Sequence, residues 1–451
     1  MIAGASILDS FIAAHRITEV ECLVPDMSGI ARGKIVPADK FLRIVRERGL
    51  RLPESIFVQT VTGDFPEHED VTADENSDIT MIPDPATVRI VPWYKEPTAQ
   101  VIADCYHHDE QAVEYAPRHL LRRVLGLYAA RGWKPIVAPE LEFFLVQINK
   151  DPDYPLVPPI GRSGRRESGR QAYGIDAVNE FDPLFEDVYD YCEAQNIDID
   201  TLAHEAGAAQ IEINFNHGEA LELADQTFLF KRTVREAALR HQVYATFMAK
   251  PMQTEPGSAL HIHQSVADAD TGQNLFAEAD GRDSALFHAF IAGLQAFLPA
   301  AIPLLAPNVN SYRRLVAGAD APINAHWGRD NRTTGFRVPD SPPEARRVEN
   351  RVAGADANPY LAIAASLACG YLGMINGLTP SEPVRGSAYR LPFSLARHLG
   401  DALERLNASE PLMEIFGAKF IRAFTAVKEA EFNAYHQVIS SWERENLLLN
   451  V

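Results

Sequence analysis

Cysteine and positive charge are both scarce in this chain, and each shortage removes a class of function. The four cysteines among 451 residues, Cys22, Cys105, Cys192 and Cys369, form no Cys-x-x-Cys pair. Neither a disulfide scaffold nor a thiolate zinc site is expected, and free thiols suit a reducing cytoplasm. With 42 Lys and Arg against 61 Asp and Glu, the formal net charge is -19. That sign argues against a nucleic-acid partner and favours solubility and attraction of cations. The opening segment, MIAGASILDSFIAAHRITE, has no basic region ahead of its apolar stretch and carries Asp9 within it. It reads as an amphipathic helix and not as a signal peptide, and a cytoplasmic protein is expected. No run reads as a membrane span. Residues 285–312 are uncharged but interrupted by Pro299, Pro303 and Pro307, while 357–381, rich in Ala, Gly and Ser, read as a buried helix.

Nucleotide fingerprints are missing too. There is no G-x-G-x-x-G, and Gly29-Ile-Ala-Arg-Gly33-Lys34 fails as a phosphate loop because its glycines are one residue too close and Ile35 stands where a hydroxyl would meet Mg²⁺. Any bound nucleotide must have its phosphates held by metals and arginines. The arginines are present, in NSYRRLVAGADAP (310–322), WGRDNRTTGFRVP (327–339) and ARRVENR (345–351), a supply suited to clamping phosphate and carboxylate.

A chain that is 46% apolar at this length is globular, with room for two or more domains. After the first helix, EVECLVPDMSGIARGKIVP reads as two strands joined by a turn at Asp26 to Gly29, and TVRIVPW and AQVIADCY continue a small β-domain over residues 1–115. Pro117 then starts a helix running to about Gly132. Over 116–451, strands alternate with helices such as 183–195 and 225–244, an α+β pattern. Two loops stand out. GRSGRRESGR (161–170) could touch phosphates but reads as a solvated loop, and DFPEHEDVTADENSD (64–78) carries seven acidic residues and no Lys or Arg, a candidate attractor for a cation.

The most informative segments are PELEFF (139–144), HEAGAAQIEINF (204–215) and GSALHIHQS (257–265). Side chains two apart on a strand share a face. Glu140 and Glu142 therefore point together, as do Gln210, Glu212 and Asn214, and His261, His263 and Ser265, with apolar residues between. Arg347, Glu349 and Arg351 share a face in the same way. Two carboxylates ~4–5 Å apart at an intermediate effective dielectric repel by about 3–4 kcal/mol, so something positive should sit among them. A carboxylate-rich set with His in the minority favours Mg²⁺ or Mn²⁺ over zinc.

Taken together, PELEF, the HE…QIE segment, GS-x-x-H-x-H-x-S, NSYRRLV, NR-x-x-x-x-R and RR-x-E-x-R followed by ANPYLA closely resemble the glutamine synthetase family, over nearly the whole chain. The resemblance implies a small β-grasp-like N-terminal domain and a large catalytic domain with a metal-lined antiparallel sheet. It also implies a homo-oligomer, typically a dodecamer of two stacked hexameric rings, and the apolar C-terminal LLL (447–449) fits burial against another copy. Carried over by position, one metal site is Glu142, Glu205 and Glu212 and the other Glu140, His261 and Glu349. His263, Ser265, Arg337, Arg347 and Asp200 would face ATP. Gly257, Arg314 and Arg351 would hold L-glutamate, and Arg332 would stabilise phosphoryl transfer. The implied reaction is attack of the glutamate γ-carboxylate on ATP, then displacement of phosphate from the acyl phosphate by an amine.

Departures bear on that amine. The family's D-G-S-S turn, whose Asp helps bind ammonium, is replaced by Leu52-Pro53-Glu54-Ser55-Ile56, which leaves Glu54 as a candidate amine contact. The flap glutamate that accepts the ammonium proton is matched by the shorter Asp320, and an Asn before the glutamate-binding glycine by Pro256. These changes favour a larger amine over ammonia, and the SGIARGK segment resembles the branch of γ-glutamylputrescine and other γ-glutamylpolyamine synthetases. A polyamine is the expected acceptor. Ammonia, ethanolamine and an aromatic amine stay open, as does a non-catalytic relative. Tyr389 in SAYRLP falls near a tyrosine that some members adenylylate, and is read as structural.

Overall fold

The structure is a computed structural model and describes residues 2–66, 76–318 and 321–451. Its first sheet gathers β1 (Glu19–Pro25), β2 (Ala31–Pro37), β3 (Arg51–Pro53), β4 (Asp78–Pro83), β5 (Arg89–Val91) and β6 (Thr98–Tyr106) in the order β2-β1-β6-β4-β3, with β5 also on β6. β6, buried at every position but the last, takes the centre, and β1 runs parallel to it.

The second sheet has nine strands: β7 (Trp133–Gln147), β8 (Ile199–His204), β9 (Gln210–Phe215), β10 (Gly218–Glu219), β11 (Val243–Thr246), β12 (Leu260–Asp268), β13 (Trp327–Arg329), β14 (Phe336–Val338) and β15 (Val348–Asn350). Their order is β13-β14-β15-β12-β7-β9-β8, and β10 and β11 also pair with β7. Only β13 and β14 pair in parallel. One face of the sheet is apolar: Leu141, Phe143, Ile211, Ile213, Leu260 and Ile262 are fully buried and belong to a continuous core that spans both sheets. The opposite face carries the Glu and His residues.

Two of the contacts that join the sheets stand out. In the SGIARGK turn, Asp26 Oδ1 accepts from the backbone N–H of Ser28 and Ile30, both at 2.9 Å, while the Asn358 side chain donates to Asp26 O at 2.8 Å. Gly29, at φ +77°, sits against the Asn358 backbone. Asn358 caps the helix Pro359–Asn376, so this motif docks the N-terminal sheet on a core helix. Buried Arg118 makes the second contact, reaching Asp84 (2.7 Å), Asp104 and Asp225 (both 2.8 Å). A buried guanidinium is tolerated when carboxylates match it on several sides.

Two expectations need correction. The helix Ala285–Leu305 runs unbroken through Pro299 and Pro303. Each proline removes one backbone donor, and with i, i+4 spacing the N–H missing at Pro303 is the one that would have served Pro299, so the losses fall on one stripe. The helix expected over 225–244 spans Ala220–Arg240. Gln242, at φ +59°, turns the chain, and Val243–Thr246 becomes strand β11. Helices Ala285–Leu305 and Pro359–Asn376 are long and apolar enough to cross a membrane, but both are mostly buried here as core helices. Of the acidic loop at 64–78, residues 67–75 lie outside the described residues.

These two helices cross at Gly293 and Gly373. A Cβ at Gly373 would lie 2.0 Å from Ala289 O and 2.5 Å from Gly293 N. Gly373→Ala is expected to cost about 1–3 kcal/mol through overpacking, read as a lower denaturation midpoint. An unchanged midpoint would contradict this crossing.

Candidate active site

Strand pairing brings the dispersed ligands together. Across β7, β9, β12 and β15 the register sets Glu142 opposite Glu212, His261 opposite Glu140, and His263 opposite Glu349. Glu205 joins from the β8–β9 turn, where Ala209 at φ +56° lets the chain reverse tightly. Candidate ligand atoms of Glu142, Glu205 and Glu212 lie within 4.8 Å of one another, as do those of Glu140, Glu212 and His261. Glu212 belongs to both groups. Glu349 stands behind the second, its buried carboxylate 4.0 Å from His261 Nδ1 and held between Arg337, at 2.6 Å, and Arg351. Of the expected trio, Glu140 and His261 therefore lie together with Glu212 beside them, and Glu349 borders the same group while two guanidiniums engage it.

The electrostatics reflect crowding. Burial, reinforced by Glu205, pushes Glu142 up to about 8, and burial with Glu140 beside it pushes Glu212 up to about 10. Burial would raise Glu140 as well, but His261 and His263, with ring nitrogens 3.0 and 3.2 Å from its oxygens, hold it well below the carboxylate range. Glu349 falls to about 2 despite its burial, because Arg351 favours the anion. Burial and Arg351 take His261 down to about 4. A set of carboxylates that must share protons to coexist is chemically suited to a hard divalent cation.

Two cavities meet on this cluster. One, of about 650 Å³, is lined by Asp200, His263, Ser265, Arg337 and Arg347, all five residues expected to face ATP. The other, of about 540 Å³, is lined by Gly257, Arg314 and Arg351, the three expected to hold glutamate, with Glu142 and Glu205. Glu140, Glu212, Arg332 and Tyr173 line both. Buried Arg314 is positioned by donating to Arg351 O and Val352 O, each at 2.9 Å, and burial lowers it to about 10. A Cβ at Gly257 would lie 2.6 Å from both Ala249 O and Arg314 Cγ, so a side chain there would dislodge Arg314.

Glu54 is not brought to this site. It is 4% exposed, accepts from the Tyr115 hydroxyl and lies 3.5 Å from Lys419 Nζ, so within this chain it is a partnered interior carboxylate. Asp320 lies outside the described residues. The Tyr389 hydroxyl is buried, in keeping with a structural role. The sequence reading missed Tyr173, which is 67% exposed at φ +60°, a conformation a bulky residue rarely adopts. The preferred reading of 161–170 is a solvated loop. Instead Glu167 turns inward to accept from His204 Nε2 at 3.0 Å and Ala209 N–H at 2.7 Å. Tyr173 N–H donates to His204 O at 2.8 Å, so the loop is pinned to the Glu205 turn, and Arg170 and Tyr173 reach the cavity. The inward Glu167, amid arginines and glycines, was the available signal.

Comparison with known proteins agrees with this geometry. The family described as "Glutamine synthetase, catalytic domain" matches residues 114–447. The chain is 34% identical to gamma-glutamylputrescine synthetase PuuA of Escherichia coli, over 96% of this chain and 92% of that protein. It is 33% identical to a glutamate–isopropylamine ligase of a Pseudomonas species, over 96% and 95%. A solved structure described as a GmaS/ADP complex superposes with a TM-score of 0.84 at 29% identity, covering 98% of this chain and 99% of that one.

The raised carboxyls make stability depend on pH. With Glu142 and Glu212 at about 8 and 10, the native metal-free protein binds more protons than the unfolded chain above the ordinary carboxylate range, so stability falls as pH rises through that window. Lys231, taken down to about 7 by burial, opposes this in the same window, but one lysine is outweighed by two carboxyls, and His261, held at about 4, opposes it only below its ordinary value of ~6.5. Without metal, the thermal midpoint should drop between pH 7 and pH 9, and saturating Mg²⁺ should restore more of it at pH 9 than at pH 7. Differential scanning calorimetry checks this, and a flat midpoint with no pH-dependent gain from Mg²⁺ would contradict it.

Proposed function

The chain belongs to the glutamine synthetase family, and on that premise we propose that it is an ATP-dependent ligase that joins the γ-carboxylate of L-glutamate to a polyamine. The observation carrying this reading is the meeting of two cavities on one wall of carboxylates crossed by Arg332. Phosphoryl transfer needs little from a protein beyond alignment and charge neutralisation, and this wall offers both.

Glu142, Glu205 and Glu212 would hold one divalent cation, and Glu140 and His261, with Glu212 or Glu349, a second. Bound there, Mg²⁺ or Mn²⁺ would neutralise charge on the nucleotide phosphates. Arg337, Arg347, His263 and Ser265 take the phosphate end of ATP and Asp200 the same cavity's wall. Arg314 and Arg351 bind glutamate carboxylate, with Gly257 leaving room for it. A γ-carboxylate oxygen attacks the γ-phosphorus and the bond to ADP breaks, with Arg332 stabilising the charge. The amine nitrogen then attacks the acyl carbon, the carbon–oxygen bond to phosphate breaks, and one amine proton is lost, to Asp320 in the family's arrangement.

A polyamine is supported by the net charge of -19, by the acidic segment at 64–78, and by Tyr173, whose exposed side chain lines both cavities together with Glu140 and Glu212 and offers a ring face to a cation. The putrescine-named relative points the same way. A small monoamine is the alternative favoured by the isopropylamine-named relative. The reading includes a cytoplasmic homo-oligomer, which would cover Trp442, Leu448 and Leu449, now 64%, 75% and 90% exposed.

Steady-state ADP release with ATP, glutamate and an amine panel should give a higher kcat/KM for putrescine, spermidine or spermine than for ammonia. Ammonia outperforming all three would overturn the polyamine assignment. Arg332→Ala should lower kcat by about 10³ or more, as removal of a transition-state arginine does, with KM for glutamate little changed. A kcat within a factor of a few of the parent would remove Arg332 from this role.

A further inference from the structure

Arg332 borders a third cavity. About 620 Å³ in volume, it lies between the segments 329–333 and 383–387, away from the metal ligands. Its walls are laced together. The Asn331 side chain donates to Val384 O at 3.2 Å and Gly386 O at 2.8 Å, and Thr333 Oγ1 accepts from Ala388 N–H at 2.8 Å. The cavity is thus preformed and not a gap between loose loops.

Its charge runs against that of the chain. Three arginines, Arg329, Arg332 and Arg385, line it beside one acid, Asp330, whose Oδ1 is committed to Arg337 at 2.6 and 3.1 Å. Arg329 is matched by Asp283. Neither Arg332 nor Arg385 has an ion-pair or hydrogen-bond partner among the described residues. In a protein of net charge -19, two unmatched guanidiniums on a rigid concavity form a local attractor for an oxyanion.

The reaction makes one. When the amine displaces it from the acyl carbon, phosphate leaves with the electron pair of the broken carbon–oxygen bond and sits against Arg332. ADP then fills the first cavity and the amide product the second. We propose that the third cavity is an inorganic-phosphate site through which this product leaves, handed from Arg332 to Arg385 while ADP is still bound. This rests on the ligase reading. The guanidinium fork suits a tetrahedral oxyanion, and Arg332, shared by all three cavities, is the partition between them.

The test titrates inorganic phosphate into the full-length protein saturated with ADP and Mg²⁺, following thermal stabilisation, for the parent, Arg385→Ala and Arg385→Lys. The parent should be stabilised, and Arg385→Ala should need roughly tenfold more phosphate, the loss expected for one charge-assisted contact. Arg385→Lys, which keeps the charge and loses the fork, should fall between. In product inhibition, phosphate should still inhibit the parent at saturating ATP, less so Arg385→Ala, while kcat/KM for ATP and glutamate is unchanged. Equal phosphate titrations for parent and Arg385→Ala, or inhibition abolished by saturating ATP, would overturn the proposal. Failure of the ligase reading would show separately, as no ADP formed by the parent with any amine, because the titration requires no turnover.

Discussion

Mutual repulsion among buried carboxylates is the constraint around which this protein is organised. Glu140, Glu142 and Glu212 occupy one patch of sheet with Glu205 reaching it from a turn, and the carboxylates are too close to ionise together without compensation. An ordinary core would not hold them. The nine-stranded sheet does so because its other face is largely apolar and packed on core helices, with buried Gln264 and Asn350 both donating to Ser366, so strand positions are fixed by packing that has nothing to do with charge. Burial on one face supplies the rigidity that makes crowding on the other possible.

Compensation is distributed, not local. His261 and His263 flank Glu140, while Arg337 and Arg351 grip the two oxygens of Glu349. Arg337 lines the nucleotide cavity and Arg351 the glutamate cavity. One buried carboxylate therefore sits between the cations that would greet the two substrates. A cation recruited toward Glu349 would loosen its hold on both arginines, which places metal, nucleotide and glutamate in one electrostatic system.

Much of this was legible in the sequence because it is written with a period of two. Glu140 with Glu142, Glu212 with its neighbours, and His261 with His263 each announce a shared strand face, and the arginine-rich segments announce an anion clamp. What periodicity cannot carry is register between distant strands, such as His261 against Glu140, which follows from the whole sheet. Nor can it carry the positive φ values of Ala209 and Tyr173 that bring Glu205 and an aromatic ring to the centre. Glu167 was lost in a loop whose composition says solvent, because its partners His204 and Ala209 are about forty residues away. The proline-containing helix misled for a related reason: local propensity is overridden when a segment is buried on most sides.

The central claim is that the two cavities meet so that the γ-carboxylate of glutamate itself attacks ATP. Glutamate labelled with ¹⁸O in its γ-carboxylate, turned over with ATP, Mg²⁺ and putrescine, tests this directly through the ³¹P NMR spectrum of the released phosphate. Transfer of one labelled oxygen to each phosphate is the result this account predicts. Phosphate released without label would contradict it.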